Sequence, residues 1–144
     1  MNPEQLSERL WLLAVAVGKL IDALPETRLG RHVAAQLVRS GTASAPNYDE
    51  GCNAESRADF VHKVSIALKE MRETYGWVRY VVLAELLPPT EIASLINESH
   101  QLCRILGKSV ATAKSRSDSE FHESGPDEVY DFKPFGREVS LPEL

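Results

Sequence analysis

The sequence lacks the features that would commit it to a redox or membrane function. It has only two cysteines in 144 residues, Cys52 and Cys103, and their spacing fits neither a zinc motif nor a redox pair. No apolar run approaches the ~20 residues that cross a bilayer. The apolar stretch from Trp11 to Val17 follows Glu4 and Glu8, whereas a signal peptide has a basic leading segment. We therefore expect a cytoplasmic protein with reduced thiols.

Motifs for catalysis and metal binding are also missing. The sequence has no Gly-rich phosphate loop, no nucleophile elbow and no HExxH segment. Di-metal sites in helical bundles use Glu-x-x-His pairs, and no histidine here has a glutamate three residues before it; the histidines are His32, His62, His100 and His122. We therefore expect no catalytic residue, no metal, no cofactor and no enzymatic activity.

The charge is distributed unevenly along the chain. Residues 1–114 hold 13 Lys and Arg against 13 Asp and Glu, whereas residues 115–144 hold 3 basic and 8 acidic residues. The C-terminal tail therefore supplies the whole net charge of −5. A neutral body is not typical of proteins that bind nucleic acid strongly and without sequence preference.

Apolar residues recur at helical spacing through most of residues 1–114, and no strand pattern competes. Asn2 is the predicted cap of the first helix and Thr27 that of the second, and Asn53 or Ser56 is the predicted cap of the third. The first helix has a seam of six apolar residues: Leu6, Leu10, Leu13, Val17, Leu20 and Leu24. The predicted helices span residues 3–24, 27–50, about 56–86 and 89–114. They predict an all-α domain over residues 1–114, an antiparallel up-and-down four-helix bundle.

The second predicted helix contains a run of small residues followed by a proline. Small side chains at helical spacing let a neighbouring backbone approach, and here they are Ser40, Gly41, Ser44 and Ala45. The ring of Pro46 opposes the carbonyl of Thr42, which predicts a kink within one continuous helix. The alternative is a turn over residues 41–46 that splits the segment into two helices. Gly51 is expected to end the segment in the left-handed conformation.

Five residues of this segment form a spaced motif: Gln36, Arg39, Asn47, Glu50 and Gly51. With Phe60, Ile66-Ala67 and Glu73, the pattern resembles the small bacterial four helix bundle protein family, also called the 23S ribosomal-RNA intervening-sequence protein family. The resemblance covers residues 5–114. The sequence departs from it at Lys69-Glu70, where relatives usually carry a Gly-Ser pair, and after Lys114.

The resemblance carries implications for assembly and partners. It implies a bundle whose relatives are pentamers. It also implies an association with ribosomal-RNA insertions and with accessory proteins of diversity-generating retroelements. Those accessory proteins are strongly basic, and this chain is not.

Asn47 and Glu50 allow two interpretations. They could form a catalytic pair, or they could tie the end of the second helix to the third by hydrogen bonds. The second interpretation is favoured, because a polar pair that has partners fixes the local geometry and one without partners lowers stability.

The third predicted helix carries a second stripe, away from its core face. Its members are spaced at alternating intervals of four and three: Ile66, Glu70, Glu73, Trp77, Tyr80 and Ala84. A helix that buries only one face does not require Trp and Tyr on another face. The stripe therefore predicts an interface between identical subunits. Trp11 and Val15 are candidates to extend it. We expect Glu70 and Glu73 to find a cationic partner on the next subunit, with Arg72 or Arg79 as candidates.

A basic stripe on the second helix is the candidate RNA contact, formed by Arg28, Arg31, His32 and Arg39. Such a stripe could hold phosphates, although a solvated charged face is the commoner meaning. We therefore expect a non-enzymatic, homo-oligomeric scaffold, a pentamer by resemblance, that binds RNA or an RNA-handling protein. The alternative is a protein-only interaction module.

Residues 115–144 form an acidic tail that breaks the helical periodicity. This composition predicts disorder. The tail also holds six large apolar residues, Phe121, Tyr130, Phe132, Phe135, Val139 and Leu141. These allow the alternative that it docks on the bundle, on a neighbouring subunit or on a partner.

Overall fold

The computed structural model describes residues 1–119, with side chains through residue 116. Within that range every regular element is an α-helix: α1 (Pro3–Ala23), α2 (Arg28–Gly41), α3 (Ser44–Cys52), α4 (Arg57–Leu83) and α5 (Pro89–Ser119). Because α2 and α3 follow one another closely, they form one arm, which we call the second arm. Both α1 and α4 pack against the second arm and against α5. The predicted all-α four-helix bundle is confirmed.

The apolar seam of α1 forms one wall of the core. All six predicted seam residues are buried, as expected for an amphipathic helix in a bundle. The helix begins with a capping box: the Asn2 side chain accepts from the Gln5 backbone N–H at 2.8 Å, and the Gln5 side chain accepts from the Asn2 N–H at 3.0 Å. Its start is therefore defined by local sequence alone.

The second arm is divided, so the predicted single kinked helix is wrong and the split alternative is correct. α2 ends at Gly41 and α3 begins at Ser44. Thr42 and Ala43 between them keep right-handed backbone angles, so the break is a loosened turn. The break lies ahead of Pro46 because a proline is tolerated in the first turn of a helix, where no i−4 carbonyl opposes its ring.

The predicted role of Gly51 is also wrong. Gly51 lies inside α3, which continues to Cys52, and its φ is outside the left-handed region. Gly51 is buried against α4, where an added Cβ would lie 2.9 Å from Val64 Cγ2 and 3.3 Å from Lys63 Cβ. The absence of a side chain therefore serves close helix packing.

The third predicted helix ends earlier than expected. It is capped by Ser56, whose hydroxyl accepts from the Asp59 N–H at 3.1 Å, and it ends at Leu83 where residue 86 was predicted. Glu85 adopts φ 54°, and the N–H groups of Glu85 and Leu86 donate to the carbonyls of Val82 and Val81, both at 3.0 Å. These two bonds form a Schellman motif with glutamate at the left-handed position, where glycine is usual.

The last helix is longer than predicted. α5 continues past the expected end at about Lys114 to Ser119, so residues 115–119 of the predicted tail are helical. The tail prediction for residues 120–144 lies outside the described residues. Across residues 1–119, no helix combines the length and apolar character needed to cross a membrane.

Candidate interaction site on the second arm

The motif residue Arg39 joins α2 to α4. Its guanidinium bonds to Glu73, lies 3.8 Å from Glu70 and also donates to Gln36 Oε1 at 3.2 Å. We expected a cation of the next subunit, Arg72 or Arg79, beside the two glutamates, and within one chain Arg39 already lies beside both of them. Two of the five motif residues thus contribute to one charged cluster across the α2–α4 contact.

Asn47 secures the start of α3. Its side-chain Nδ2 donates to the Ala43 carbonyl at 2.8 Å, and its backbone N–H donates to the same oxygen at 3.3 Å. Because this carbonyl lies in the break between α2 and α3, both donors hold the first turn of α3 onto the connection. The side chain of Asn47 therefore has a local structural partner.

Glu50 and Gly51 fix α3 against α4. Glu50 accepts from Lys63 Nζ at 2.9 Å, and this hydrogen bond raises the pKa of Lys63. Nearly two turns earlier, the buried Ser44 hydroxyl donates to the Ala67 carbonyl of α4 at 2.7 Å. Together with the close contact at Gly51, these bonds hold α3 directly on the α4 backbone, as the small residues predicted.

The second stripe of α4 is covered in part by α2. Trp77 is half-buried, with the His32 ring edge-on at 5.8 Å and the Tyr80 ring at 5.4 Å. Tyr80 is the member that remains exposed, at 38% of its surface; the half-buried members are Ile66, Glu70, Glu73, Trp77 and Ala84. Leu83, one turn beyond Tyr80, is 57% exposed. The free apolar surface of α4 is therefore concentrated at Tyr80 and Leu83.

The four candidate RNA-contacting residues do not form one free basic stripe. Arg39 is paired with carboxylates and His32 contacts Trp77. Arg31 donates to the Glu26 carbonyl at 3.1 Å. This acceptor is neutral and the Arg31 side chain is exposed, so its charge remains exposed to solvent. Arg28 is exposed at the first turn of α2. Two arginines, Arg28 and Arg31, are therefore available to an anionic ligand.

An apolar surface on α1 is larger than the sequence suggested. Trp11, Leu12 and Val15 are 45%, 61% and 57% exposed, and Leu12 adds to the pair Trp11 and Val15 that the sequence suggested. The Trp11 indole donates to Asp49 Oδ2 at 2.8 Å, and the Ser7 hydroxyl donates to Asp49 Oδ1 at 2.5 Å. Asp49 of α3 thus orients the indole at the bundle surface. No sequence signal indicated this role for Asp49.

The two cysteines differ in their exposure to solvent. Burial raises the pKa of Cys103 to about 12, so this thiol is protonated at neutral pH. Cys52 is exposed at the end of α3. Burial and the hydrogen bond with Cys52 raise the pKa of the Tyr48 hydroxyl. Among the described residues, no three His, Cys, Asp or Glu side chains are grouped closely enough to hold a metal ion.

Comparison with known proteins agrees with this architecture. The family model described as 23S rRNA-intervening sequence protein matches residues 6–108. The chain belongs to this family. A similar solved structure is that of a protein of unknown function from the S23 ribosomal protein family of Bacteroides thetaiotaomicron. It is 30% identical with a TM-score of 0.68, and the match covers 73% of this chain and 97% of that chain. Among proteins with curated function, none matches.

The intervening-sequence family match spans α1 through most of α5 and contains all five motif residues. In this chain, Gln36, Arg39, Asn47, Glu50 and Gly51 all form contacts within or between helices of one subunit. The motif therefore has a structural use in positioning the second arm on α4.

Proposed function

We propose that this intervening-sequence family protein is a non-enzymatic scaffold that assembles into a closed homo-oligomeric ring. One observation carries the proposal: two helices that do not pack extensively on each other each present an exposed apolar surface. These are the α1 surface (Trp11, Leu12 and Val15) and the α4 surface (Tyr80 and Leu83). The α4 surface contains Tyr80 of the predicted interface stripe, with Leu83 beside it.

The placement of the two surfaces favours a ring over a two-fold dimer. α1 and α4 both pack against the second arm and α5, and they lie diagonally across the bundle from each other. Their outward faces therefore point in different directions. A head-to-tail contact, in which one surface of a subunit binds a different surface of the next, closes into a cyclic oligomer when the rotations between successive subunits add up to a full turn. Five subunits is the number implied by the resemblance to pentameric relatives.

The size of the exposed side chains is adequate for association. Aromatic residues bury about 150–250 Å² each, and aromatic residues are enriched at the centres of protein interfaces. Trp11, already oriented by Asp49, and Tyr80, held beside Trp77, are ordered before any contact forms. Such preorganisation reduces the entropy that association must overcome.

Mixing two variants tests the head-to-tail arrangement. Leu12→Glu removes the α1 surface and Leu83→Glu removes the α4 surface, and each protein alone should be monomeric because every ring contact needs both. Mixed at equal concentration, the two proteins still have one intact contact between them and should form a species of twice the 16.0 kDa chain mass. A mixture that stays monomeric, or a single variant that still forms rings, contradicts the arrangement.

We also propose that the protein binds RNA. Two observations support RNA binding: the family's association with a 23S rRNA intervening sequence and the two available arginines of α2. In a ring, Arg28 and Arg31 would be repeated once per subunit, which multiplies the local phosphate contacts although the net charge of each chain remains −5. If RNA does not bind, the protein-only scaffold remains as the alternative.

A further inference from the structure

We propose that the acidic C-terminal segment, residues 120–144, docks on the outward face of α5 in its own subunit. The charges are complementary. Residues 99–117 of α5 contain four Lys and Arg and no Asp or Glu, whereas residues 120–144 contain seven Asp and Glu against two Lys and Arg. The inference goes beyond the proposed assembly and does not depend on it.

The outward face of α5 has unpaired cations at its centre. Arg104 and Lys108 are exposed and lie one turn apart. Within residues 1–119 neither of them forms an ion pair, because the salt bridges found there use other residues. Two neighbouring cations without a carboxylate partner attract an acidic segment.

The same face offers an apolar floor between the cations. Ile105 is half-buried and packs on the core. With Gln101, Arg104 and Lys108 it lines a depression of about 430 Å³. Gln101 is held in place by Arg9 of α1, whose Nη2 donates to its Oε1 at 3.2 Å. A shallow apolar depression with a basic rim suits a ligand that is both aromatic and acidic.

The C-terminal segment has this mixed character. Large apolar residues flank some of its acidic residues, as around Asp131 in the stretch from Val129 to Phe135, VYDFKPF. The aromatic side chains of the segment match the apolar floor in chemistry, and its carboxylates match Arg104 and Lys108 in charge. A segment with acidic residues alone would have no apolar side chain to pack on Ile105.

The covalent connection makes docking geometrically easy. Lys108 lies 11 residues before Ser119, which corresponds to about 16 Å along the helix. The 25 residues of the segment can span up to about 80 Å when extended. Attachment to α5 also gives the segment an effective concentration of the order of millimolar at this face. A weak contact is therefore sufficient to keep the site occupied.

Paramagnetic relaxation in the full chain tests the docking. A nitroxide is attached to Ser140→Cys in a Cys52→Ser background, where the buried Cys103 remains unlabelled. The labelled ¹⁵N protein is diluted into excess unlabelled ¹⁴N protein, so that only effects within one subunit are seen. We expect the amide signals of Ile105 and Lys108 to broaden at least threefold more than those of α2.

Charge reversal provides the matched control. Arg104→Glu with Lys108→Glu should abolish the broadening, whereas Arg28→Glu with Lys69→Glu makes the same charge change on other helices and should preserve it. If α5 amides show no selective broadening, or if the broadening survives Arg104→Glu with Lys108→Glu, the inference is overturned. It is also overturned if broadening appears only when ¹⁵N protein without a nitroxide is mixed with ¹⁴N protein that carries one. The segment would then dock on another copy of the chain.

Discussion

Arg39 on α2 and Glu73 on α4 form an ion pair that joins the second arm to α4. Glu70, 3.8 Å from the same guanidinium and with its side chain 16% exposed, shares the charge. The pair gives a residue of the family motif carboxylate partners within its own chain. It also explains why carboxylates occur in the half-buried stripe of α4.

Removing the Arg39 charge should destabilise the bundle modestly. Arg39 is 56% exposed, so solvent screening limits the loss to about 1 kcal/mol for Arg39→Ala. A double-mutant cycle with Glu73→Gln should give a coupling of about 0.5–1 kcal/mol in urea unfolding at fixed protein concentration. Arg28→Ala is the control and should change stability by less than about 0.5 kcal/mol. Equal effects of Arg39→Ala and Arg28→Ala would refute the structural role of the pair.

Gly51→Ala tests the close approach of α3 to α4. The added Cβ would lie 2.9 Å from Val64 Cγ2, and overpacking of a core costs about 1–3 kcal/mol. Gly76→Ala in α4 is the matched control, because nothing lies within 4 Å of its Cβ position; it should gain about 0.5–1 kcal/mol from helix propensity. In thermal unfolding, we expect Gly51→Ala to lower the melting temperature and Gly76→Ala to raise it. If both variants melt higher than wild type, the contact at Gly51 is not tight.

Replacing Glu85 by glycine should stabilise the protein. Glu85 has φ 54°, where a side chain costs about 1–2 kcal/mol. Glycine relieves this strain but loses more entropy on folding, so a net gain of about 0.5 kcal/mol is expected. Glu85→Ala removes the same charge without relieving the strain and should give no gain. A larger stabilisation by alanine than by glycine in urea unfolding would show that the charge, and not φ, is responsible.

RNA binding, if it occurs, should depend on the two available arginines of α2. Arg28→Glu with Arg31→Glu should weaken binding and lower the slope of log affinity against log salt concentration by up to about two. Arg39 is not a suitable site for this test, because Arg39→Glu would place a third carboxylate beside Glu70 and Glu73. Filter binding at about 50 mM salt measures the effect. Affinity that is unchanged by the double substitution would move any RNA site elsewhere.

The sequence predicts those features that local rules determine. The α1 seam follows from helical periodicity, and the caps at Asn2 and Thr27 follow from side-chain chemistry, with Thr27 Oγ1 accepting from the Gly30 N–H at 3.0 Å. Pro46 predicted that the second arm has a kink or a break. It did not locate the break, because a proline fits either beyond a kink or inside the first turn of a new helix.

The remaining features depend on contacts between residues distant in the chain. Gly51 could serve a left-handed turn or a close helix contact, and only the position of Val64 decides between them. The partner of Glu73 lies 34 residues away, beyond any helical spacing rule. The anchoring of Trp11 by Asp49 likewise needs the folded arrangement of α1 and α3. Candidate surfaces were therefore visible in the sequence, but their intramolecular partners were not.

The mass of the wild-type protein in solution tests the proposed scaffold most directly. Multi-angle light scattering at micromolar concentration should give an integral multiple of 16.0 kDa, with five subunits expected from the family resemblance. Leu12→Glu should reduce this mass to that of one chain while circular dichroism shows unchanged helix content, because Leu12 is 61% exposed and outside the core. A wild-type protein with the mass of a single chain would contradict the account.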